Sequence, residues 1–318
     1  MIDFKNAIFY EQELASTDCF ICCVGYELRS YFLLDKVKKV VEANKITYLT
    51  VNDYDELQET YKNRVNEIKN TEKSFFEFDY YNDLEVQNVI VKKFIELKRE
   101  NSKVRMDIDY SSMPRGWYGR LPELLCDYMD NFDEVFFWYS EGEYTEHADD
   151  FTTVGIDSAK VYAGKPSLHS KKQRTHLMGV GFDSIRTQGI ISLLDPDNYI
   201  ICEAFNPERR DIHDEVVRAN ASIIEQTSIC VSLYVNDIEF MLAKLMGIVN
   251  EYYYSEMNDI ILVPDGPKPL IFCMSMIPWL FGKPGVSCIH IMRNSNSVKR
   301  KDILPVGSII GFSLKKVK

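Results

Sequence analysis

The sequence predicts an α/β protein built as two tandem Rossmann-like, doubly wound, mostly parallel sheets related by internal duplication. Three observations predict it. Apolar, strand-like runs alternate with helical spacing along the chain, the pattern of βαβ crossovers and a parallel sheet covered on both faces. A glycine turn closes an apolar run twice, as Cys22-Cys23-Val24-Gly25-Tyr26-Glu27-Leu28-Arg29-Ser30 and as Met178-Gly179-Val180-Gly181-Phe182-Asp183-Ser184-Ile185-Arg186-Thr187. An Asp followed by small residues, Pro and a cation also recurs, as Asp109-Tyr110-Ser111-Ser112-Met113-Pro114-Arg115 and Asp265-Gly266-Pro267-Lys268-Pro269. Gly25 to Asp109 and Gly181 to Asp265 are each 84 positions apart (109 − 25; 265 − 181). Self-similarity at so long a period sets the architecture before any local reading.

The elements follow in order. Asp18 to Val24 is a continuous apolar run rich in β-branched residues and Cys, and predicts a buried strand. Tyr31, Leu33, Leu34, Val37, Val40 and Val41 have helical spacing and predict a helix from Arg29 to about Ala43. Ile46–Val51 is the next strand; Asp53 or Asp55 then caps a helix to about Lys69, with cations toward its end as the dipole favours. Phe75–Tyr80 is a third strand, and Asp83, in Asn82-Asp83, caps a helix to about Glu100. Val104–Asp109 is the fourth strand, Leu121, Leu124, Leu125 and Met129 mark a helix, and Val135–Tyr139 is the fifth strand. The second half repeats the order, with strands near 176–181, 199–204, 229–235, 259–264 and 286–292 and an Asn236-Asp237 pair matching Asn82-Asp83. Each half then has one more strand-like piece, 160–163 and 309–314, expected as the antiparallel edge of its own sheet. The polar connector from Glu141 to Arg174 places the boundary near residue 170, giving domains 1–170 and 171–318.

Length and composition agree with two folded domains: 318 residues, 46% hydrophobic and 27% charged. No apolar stretch approaches the roughly 20 residues that span a bilayer, so no membrane partner is expected. Met1-Ile2-Asp3-Phe4-Lys5 lacks the basic-then-apolar order of a signal peptide, and the cysteines sit inside apolar runs without framework spacing. Both features lead to the expectation of a cytoplasmic protein. A net charge of −11 argues against a broad surface for duplex nucleic acid. Zinc is not expected, because Cys19 and Cys22 lie within a strand and its approach. Asp107 and Asp109 share one strand face and would suit magnesium, but the matched positions are Val263 and Asp265, so no metal is expected. The P-loop pattern and the second and third glycines of a dinucleotide loop are absent, so no cofactor is expected. Nothing names a catalytic nucleophile.

Ligands of open parallel sheets bind beyond the carboxyl ends of the strands, where strand order reverses. The repeated segments fall there. Gly25 and Gly181 allow close backbone approach. Ser30 and Thr187 would cap the following helices and turn N–H groups toward an anion, and Arg29 and Arg186 offer planar paired donors. Tyr26, Glu27, Phe182 and Asp183 complete the strand-one loops. Asp109, Ser111, Ser112 and Arg115, with Asp265, Gly266 and Lys268, form the strand-four loops. Taken singly, a glycine after a first strand is common and Asp109 or Asp265 would serve as a helix cap. Kept together twice, with a cation each time, they point to ligand contact.

A Rossmann-like domain with a ligand loop after strand one and a small-residue, Lys-bearing loop after strand four resembles the CRISPR-associated Rossmann fold (CARF). Two such domains in one chain resemble the related SAVED arrangement of bacterial antiphage signalling. The resemblance implies a cyclic or linear oligonucleotide second messenger bound in a crevice between the halves. Carried over by position, it would touch Gly25 to Ser30, Gly181 to Thr187, Ser111 to Arg115 and Gly266 to Lys268. It implies a ligand-sensing or adaptor subunit for a nucleotide-type anion in an antiphage defence system. The effector activity would lie on a protein partner, since no nuclease, protease or DNA-binding domain is recognisable beside the two halves. A metal-independent phosphodiesterase acting on nucleotides and a ligand-free scaffold subunit of a defence complex are the alternatives.

Overall fold

A computed structural model of the chain describes residues 2–25, 27–52, 59–100, 103–122, 124, 133–143, 156–167, 172–227, 229–293 and 303–316. The elements run β1 (Ile2–Ala7), α1 (Glu11–Leu14), β2 (Cys19–Cys23), α2 (Arg29–Val37), β3 (Ile46–Val51), α3 (Glu59–Thr71), β4 (Phe75–Phe78), α4 (Asp83–Glu100), β5 (Arg105–Asp109), α5 (Arg115–Gly119) and β6 (Glu134–Glu143). They continue with β7 (Ile156–Lys165), β8 (Arg174–Gly179), α6 (Ser184–Leu194), β9 (Asn198–Phe205), α7 (Arg210–Ala219), α8 (Ala221–Ile224) and β10 (Cys230–Tyr234). The last are α9 (Ile238–Tyr254), β11 (Asp259–Val263), α10 (Lys268–Phe281), β12 (Val286–Arg293) and β13 (Leu304–Lys316). Two compact units result, one of Met1–Thr145 with Arg300–Lys318 and one of Glu146–Lys299.

The first sheet has the order β1-β13-β6-β5-β2-β3-β4 and the second β10-β9-β8-β11-β12-β7. In each, five strands run parallel in the order third, second, first, fourth, fifth, and an antiparallel strand follows the fifth. The predicted duplication of a doubly wound sheet is therefore present. Parallel strands buried on both faces need continuous apolar runs, and Cys19-Phe20-Ile21-Cys22-Cys23 is buried throughout. Helix α10, apolar all round as a helix packed on several sides must be, buries every residue from Pro269 to Pro278.

Three expectations are corrected. The domain boundary does not fall near 170, and 1–170 and 171–318 are not the units. Residues 160–163 belong to β7, which pairs with β12 of the second unit, whereas 309–314 belong to β13, which pairs with β6 of the first. Nor is 309–314 an edge: β13 lies between β6 and β1, which takes the edge of the first sheet, whereas β7 is the edge of the second. Both strands carry a glycine where a neighbour leaves no room for a side chain. Gly311 faces Trp138, and a Cβ there would lie 2.2 Å from the indole Cζ3. Gly164 has φ +82°, and a Cβ there would lie 2.2 Å from the Val286 carbonyl oxygen.

Secondly, the equal spacing of Asp109 and Asp265 does not make them equivalent. The first strands end at Cys23, paired with Leu49, and at Gly179, paired with Cys202, so Gly25 and Gly181 each stand two residues past the end of their strand. Counting from there, Cys22 pairs with Asp109 but Met178 pairs with Val263. Asp265 lies at the same strand end but two residues farther along, where the first unit has Ser111.

Thirdly, caps differ. The side chain of Asn82, not Asp83, accepts the Glu85 N–H at 3.3 Å, while Asp83 is the first helical residue and pairs with Arg120 at 3.0 Å. In the second unit Asp237 does cap, accepting the Phe240 N–H at 3.0 Å. Helix α2 ends at Val37 rather than near Ala43. The proposed Asp53 and Asp55 caps, and Leu125 and Met129, lie outside the described residues.

Candidate functional site

In the first unit the strand-one loop closes on itself. Arg29, 2% exposed, donates from Nε to Glu27 Oε2 at 2.5 Å and from Nη1 to the Tyr139 hydroxyl at 3.0 Å. Ser112 Oγ donates to the same Glu27 oxygen at 3.3 Å, so this carboxylate joins the strand-one and strand-four loops. Asp109 orders the strand-four turn by accepting from the Ser111 N–H at 2.9 Å and from the Ser111 hydroxyl. That hydroxyl in turn accepts the Ser140 N–H at 2.7 Å. The N–H groups expected to face an anion are engaged: Arg29 N–H donates to the Ile303 carbonyl and Ser30 N–H to that of Glu27. Ser30 is buried inside the first turn of α2 and is not its cap; Leu28 is. A Cβ on Gly25 would meet nothing within 4 Å. Arg115 begins the five-residue α5 and is half-buried. Tyr26 lies outside the described residues.

The second unit reaches a similar junction by a different pairing. Arg186, 2% exposed, donates from Nε to Asp265 Oδ2 at 2.9 Å and from Nη2 to the Ile291 carbonyl at 2.7 Å. Its Nη1 is buried and has no hydrogen-bond partner among the described residues. Asp183, not Thr187, caps α6, accepting the Arg186 N–H at 2.9 Å, while the Thr187 hydroxyl donates back to the Asp183 carbonyl at 3.2 Å. Here glycine serves close approach between loops. A Cβ on Gly181 would lie 3.3 Å from Gly266 Cα, and Gly266, with φ +91°, has its Cβ position 2.4 Å from the Val180 carbonyl oxygen. Asn220, which no sequence signal marked, donates from Nδ2 to the Gly181 carbonyl at 2.8 Å and fixes the turn. Phe182 is half-buried, and Lys268 opens the 14-residue α10.

Arg29 and Arg186 are thus not presented as open cations but neutralised at short range by Glu27 and Asp265. Asp107, offered for magnesium, is buried and bonded instead by Arg105 Nε at 3.0 Å and Trp138 Nε1 at 2.8 Å. No group of three metal-ligating side chains occurs among the described residues. Burial pushes the Cys19 and Cys230 thiols up to about 11, and Cys22 well above its usual value, so none is a thiolate nucleophile near neutral pH. Glu203, which no sequence signal marked, accepts from the Ser232 hydroxyl at 2.5 Å and lies 3.1 Å from His213 Nε2. It appears in sequence only as one carboxylate in an apolar strand.

His176 is the other group the sequence left unmarked. It is 1% exposed and neither ring nitrogen has a hydrogen-bond partner among the described residues. Burial, helped by the nearby Arg174 cation, holds its pKa down at about 4. A pKa lowered on folding from an ordinary 6.5 means that the unfolded chain binds the proton first. The contribution is therefore present above pH 6.5 and lost as pH falls through 6.5 toward 4. The loss should be ~3 kcal/mol. Urea unfolding at stepped pH should show the parent losing about that much more than His176→Leu over this interval. Parallel curves would mean that the imidazole titrates as in a peptide.

Fold and site together define a class: an α/β protein of two Rossmann-like sheets whose glycine-bearing loops meet at the carboxyl ends of the first and fourth strands. Neither a protein-family model nor a curated protein sequence matches the chain. Solved structures similar to it include a candidate universal stress protein of Pseudomonas aeruginosa UCBPP-PA14, at 8% identity and a TM-score of 0.23, covering 87% of this chain and 94% of that one. A protein of unknown function from Pseudomonas aeruginosa PAO1 is similar at 6% identity and a TM-score of 0.25, covering 89% and 95%. A universal stress protein of Archaeoglobus fulgidus DSM 4304 is similar at 10% identity and a TM-score of 0.25, covering 89% and 99%. Among the described residues no helix is long and apolar enough to cross a membrane.

Proposed function

We propose that the chain is a ligand-binding sensor or adaptor subunit that takes a nucleotide-type anion at the carboxyl-end loops of its second unit and passes occupancy to a protein partner. One observation carries this reading: Arg186 Nη1, buried and without a hydrogen-bond partner among the described residues, at the junction of the Gly181 and Gly266 loops. A buried donor without an acceptor costs about 1–3 kcal/mol, and a phosphate oxygen or base carbonyl would remove that cost. Lys268, at the start of α10, supplies a second cation on the same strand-four loop, beside a helix N-terminus. Arg29 of the first unit is matched by Glu27 as Arg186 is by Asp265, but its Nη1 also has a partner, the Tyr139 hydroxyl, which favours a structural role for that loop. An oligonucleotide second messenger and a place in antiphage defence belong to this proposal through the resemblance to CARF and SAVED proteins.

A screen of mono-, di- and cyclic oligonucleotides by thermal shift tests it. A ligand at about 100 times its Kd that binds only the folded chain stabilises by about 2.7 kcal/mol, or roughly 5–10 °C for a domain of this size. Lys268→Ala and Arg186→Lys should each weaken the best hit roughly tenfold to a hundredfold. A product released from that hit would favour the phosphodiesterase, and a flat screen would leave the scaffold.

A further inference from the structure

One edge of the second sheet, β10, differs from the other sheet edges. The edge strands β1, β4 and β7 all carry charge: Asp3 and Lys5 on β1, Glu77 on β4, and Asp157, Lys160 and Lys165 on β7. Charges on an edge keep it from pairing with another chain. Strand β10, Cys230-Val231-Ser232-Leu233-Tyr234, has no charge, proline or glycine and keeps continuous register with β9. Ile229 accepts from the Ile201 N–H at 3.2 Å, and the Val235 N–H donates to the Phe205 carbonyl at 3.0 Å, so the odd-numbered residues bond β9. The N–H and C=O groups of Cys230 and Ser232 therefore point outward, and both residues are exposed.

Helix α9 lies along the same edge. Phe240 stacks on Tyr234 of β10 at 5.5 Å, whereas Tyr253 packs on Phe281 of α10 at 4.8 Å. The flank of α9 turned to the edge is thus the stripe of Phe240, Lys244, Gly247 and Glu251, of which the last three are exposed. From Tyr234 back to Val231 is about 10 Å of strand, and from Phe240 on to Gly247 about 10 Å of helix, so Val231 and Gly247 stand level. Lys244 and Glu251 lie about one helical turn to either side of that level, with opposite charges. A Cβ on Gly247 would meet nothing within 4 Å, so the middle of the flank is open.

We propose that β10 and α9 form a self-complementary surface whose partner is a second copy of this chain. A two-fold axis through Val231, perpendicular to the sheet, sets β10 antiparallel to its copy and joins the two sheets into one. Cys230 of each copy then exchanges both backbone hydrogen bonds with Ser232 of the other. The same axis brings the two α9 flanks together at Gly247, where helices pack at roughly 8–10 Å between axes. Lys244 of each copy faces Glu251 of the other. Opposite charges set evenly about the axis select a second copy over an unrelated strand, which has no need of that symmetry.

Sedimentation velocity of the intact chain from about 1 to about 100 µM, a range that spans micromolar association, tests the proposal. The parent should pass from monomer to dimer. Ser232→Pro removes an outward N–H but none of the bonds to β9, and should stay monomeric throughout. Lys244→Glu and Glu251→Lys, both on the exposed flank of α9, keep the test independent of any disturbance by the proline. Each should weaken the dimer roughly tenfold at low salt, because each sets like charges against one another at both symmetry-related contacts. The double variant, Lys244→Glu with Glu251→Lys, should regain most of the parent's affinity. A parent that stays monomeric overturns the proposal, as does a dimer that the charge reversals leave unchanged. A double variant weaker than either single one would equally overturn it.

Discussion

Asp265→Ala is expected to destabilise the second unit by ~3–5 kcal/mol, because it leaves the Arg186 guanidinium buried without its counter-charge. The Arg186 side chain is 1% exposed and Asp265 13%, so little water reaches the cation to replace the carboxylate. For a unit of this size the melting temperature should fall by roughly 6–20 °C. Arg186→Met with Asp265→Ala removes both charges and should lie nearer the parent than Asp265→Ala alone, since the larger part of the cost is the orphaned cation. Chemical unfolding of the parent, both single variants and the double completes the cycle. Strictly additive losses would show that the two side chains do not interact in solution. The same set bears on function: the double variant should fold yet lose nucleotide-type ligands, because Nη1 is gone.

The repeated sheet was legible because a parallel strand buried on both faces must be an uninterrupted apolar run, and five such runs alternate with helical spacing in each half. Which of the two antiparallel strands joins which sheet was not legible. Residues 160–163 and 309–314 read alike, and the choice lies in contacts between segments far apart, such as Gly311 against Trp138. The two 84-residue intervals misled for a related reason. Loop lengths between first and fourth strands absorb small insertions, so the hydrogen-bond register sets equivalence, and the register places Val263 level with Asp109. The cations were found as residues but not as interactions. Glu27 stands two positions from Arg29, and sequence alone does not say whether it faces a ligand or the guanidinium. Asp265 lies 79 positions from Arg186 in the chain, beyond any local pattern.

Trp138→Ala is expected to destabilise the first unit by ~3–5 kcal/mol, the range for truncating a buried large aromatic. The indole is 2% exposed, stands edge-on to Phe9 at 5.4 Å and donates from Nε1 to the buried Asp107 at 2.8 Å. Its loss therefore removes apolar packing and also leaves a buried carboxylate one donor short. On the other side of the same contact lies Gly311, where a Cβ would come within 2.2 Å of Cζ3 and 2.5 Å of Cε3 of the indole. Gly311→Ala alone should cost ~1–3 kcal/mol by overpacking, since either the indole or β13 must shift. With Trp138→Ala in place the two closest ring atoms are gone, and the next contact of the added methyl is the Ala7 carbonyl oxygen, 2.9 Å away. The second substitution should then cost clearly less than in the parent, a coupling of 0.5 kcal/mol or more, about the smallest that contacting residues show. Equal costs in the two backgrounds, measured by urea unfolding, would mean that the ring does not require the glycine. The Trp138 contact would then not be what seats the C-terminal strand in the first sheet.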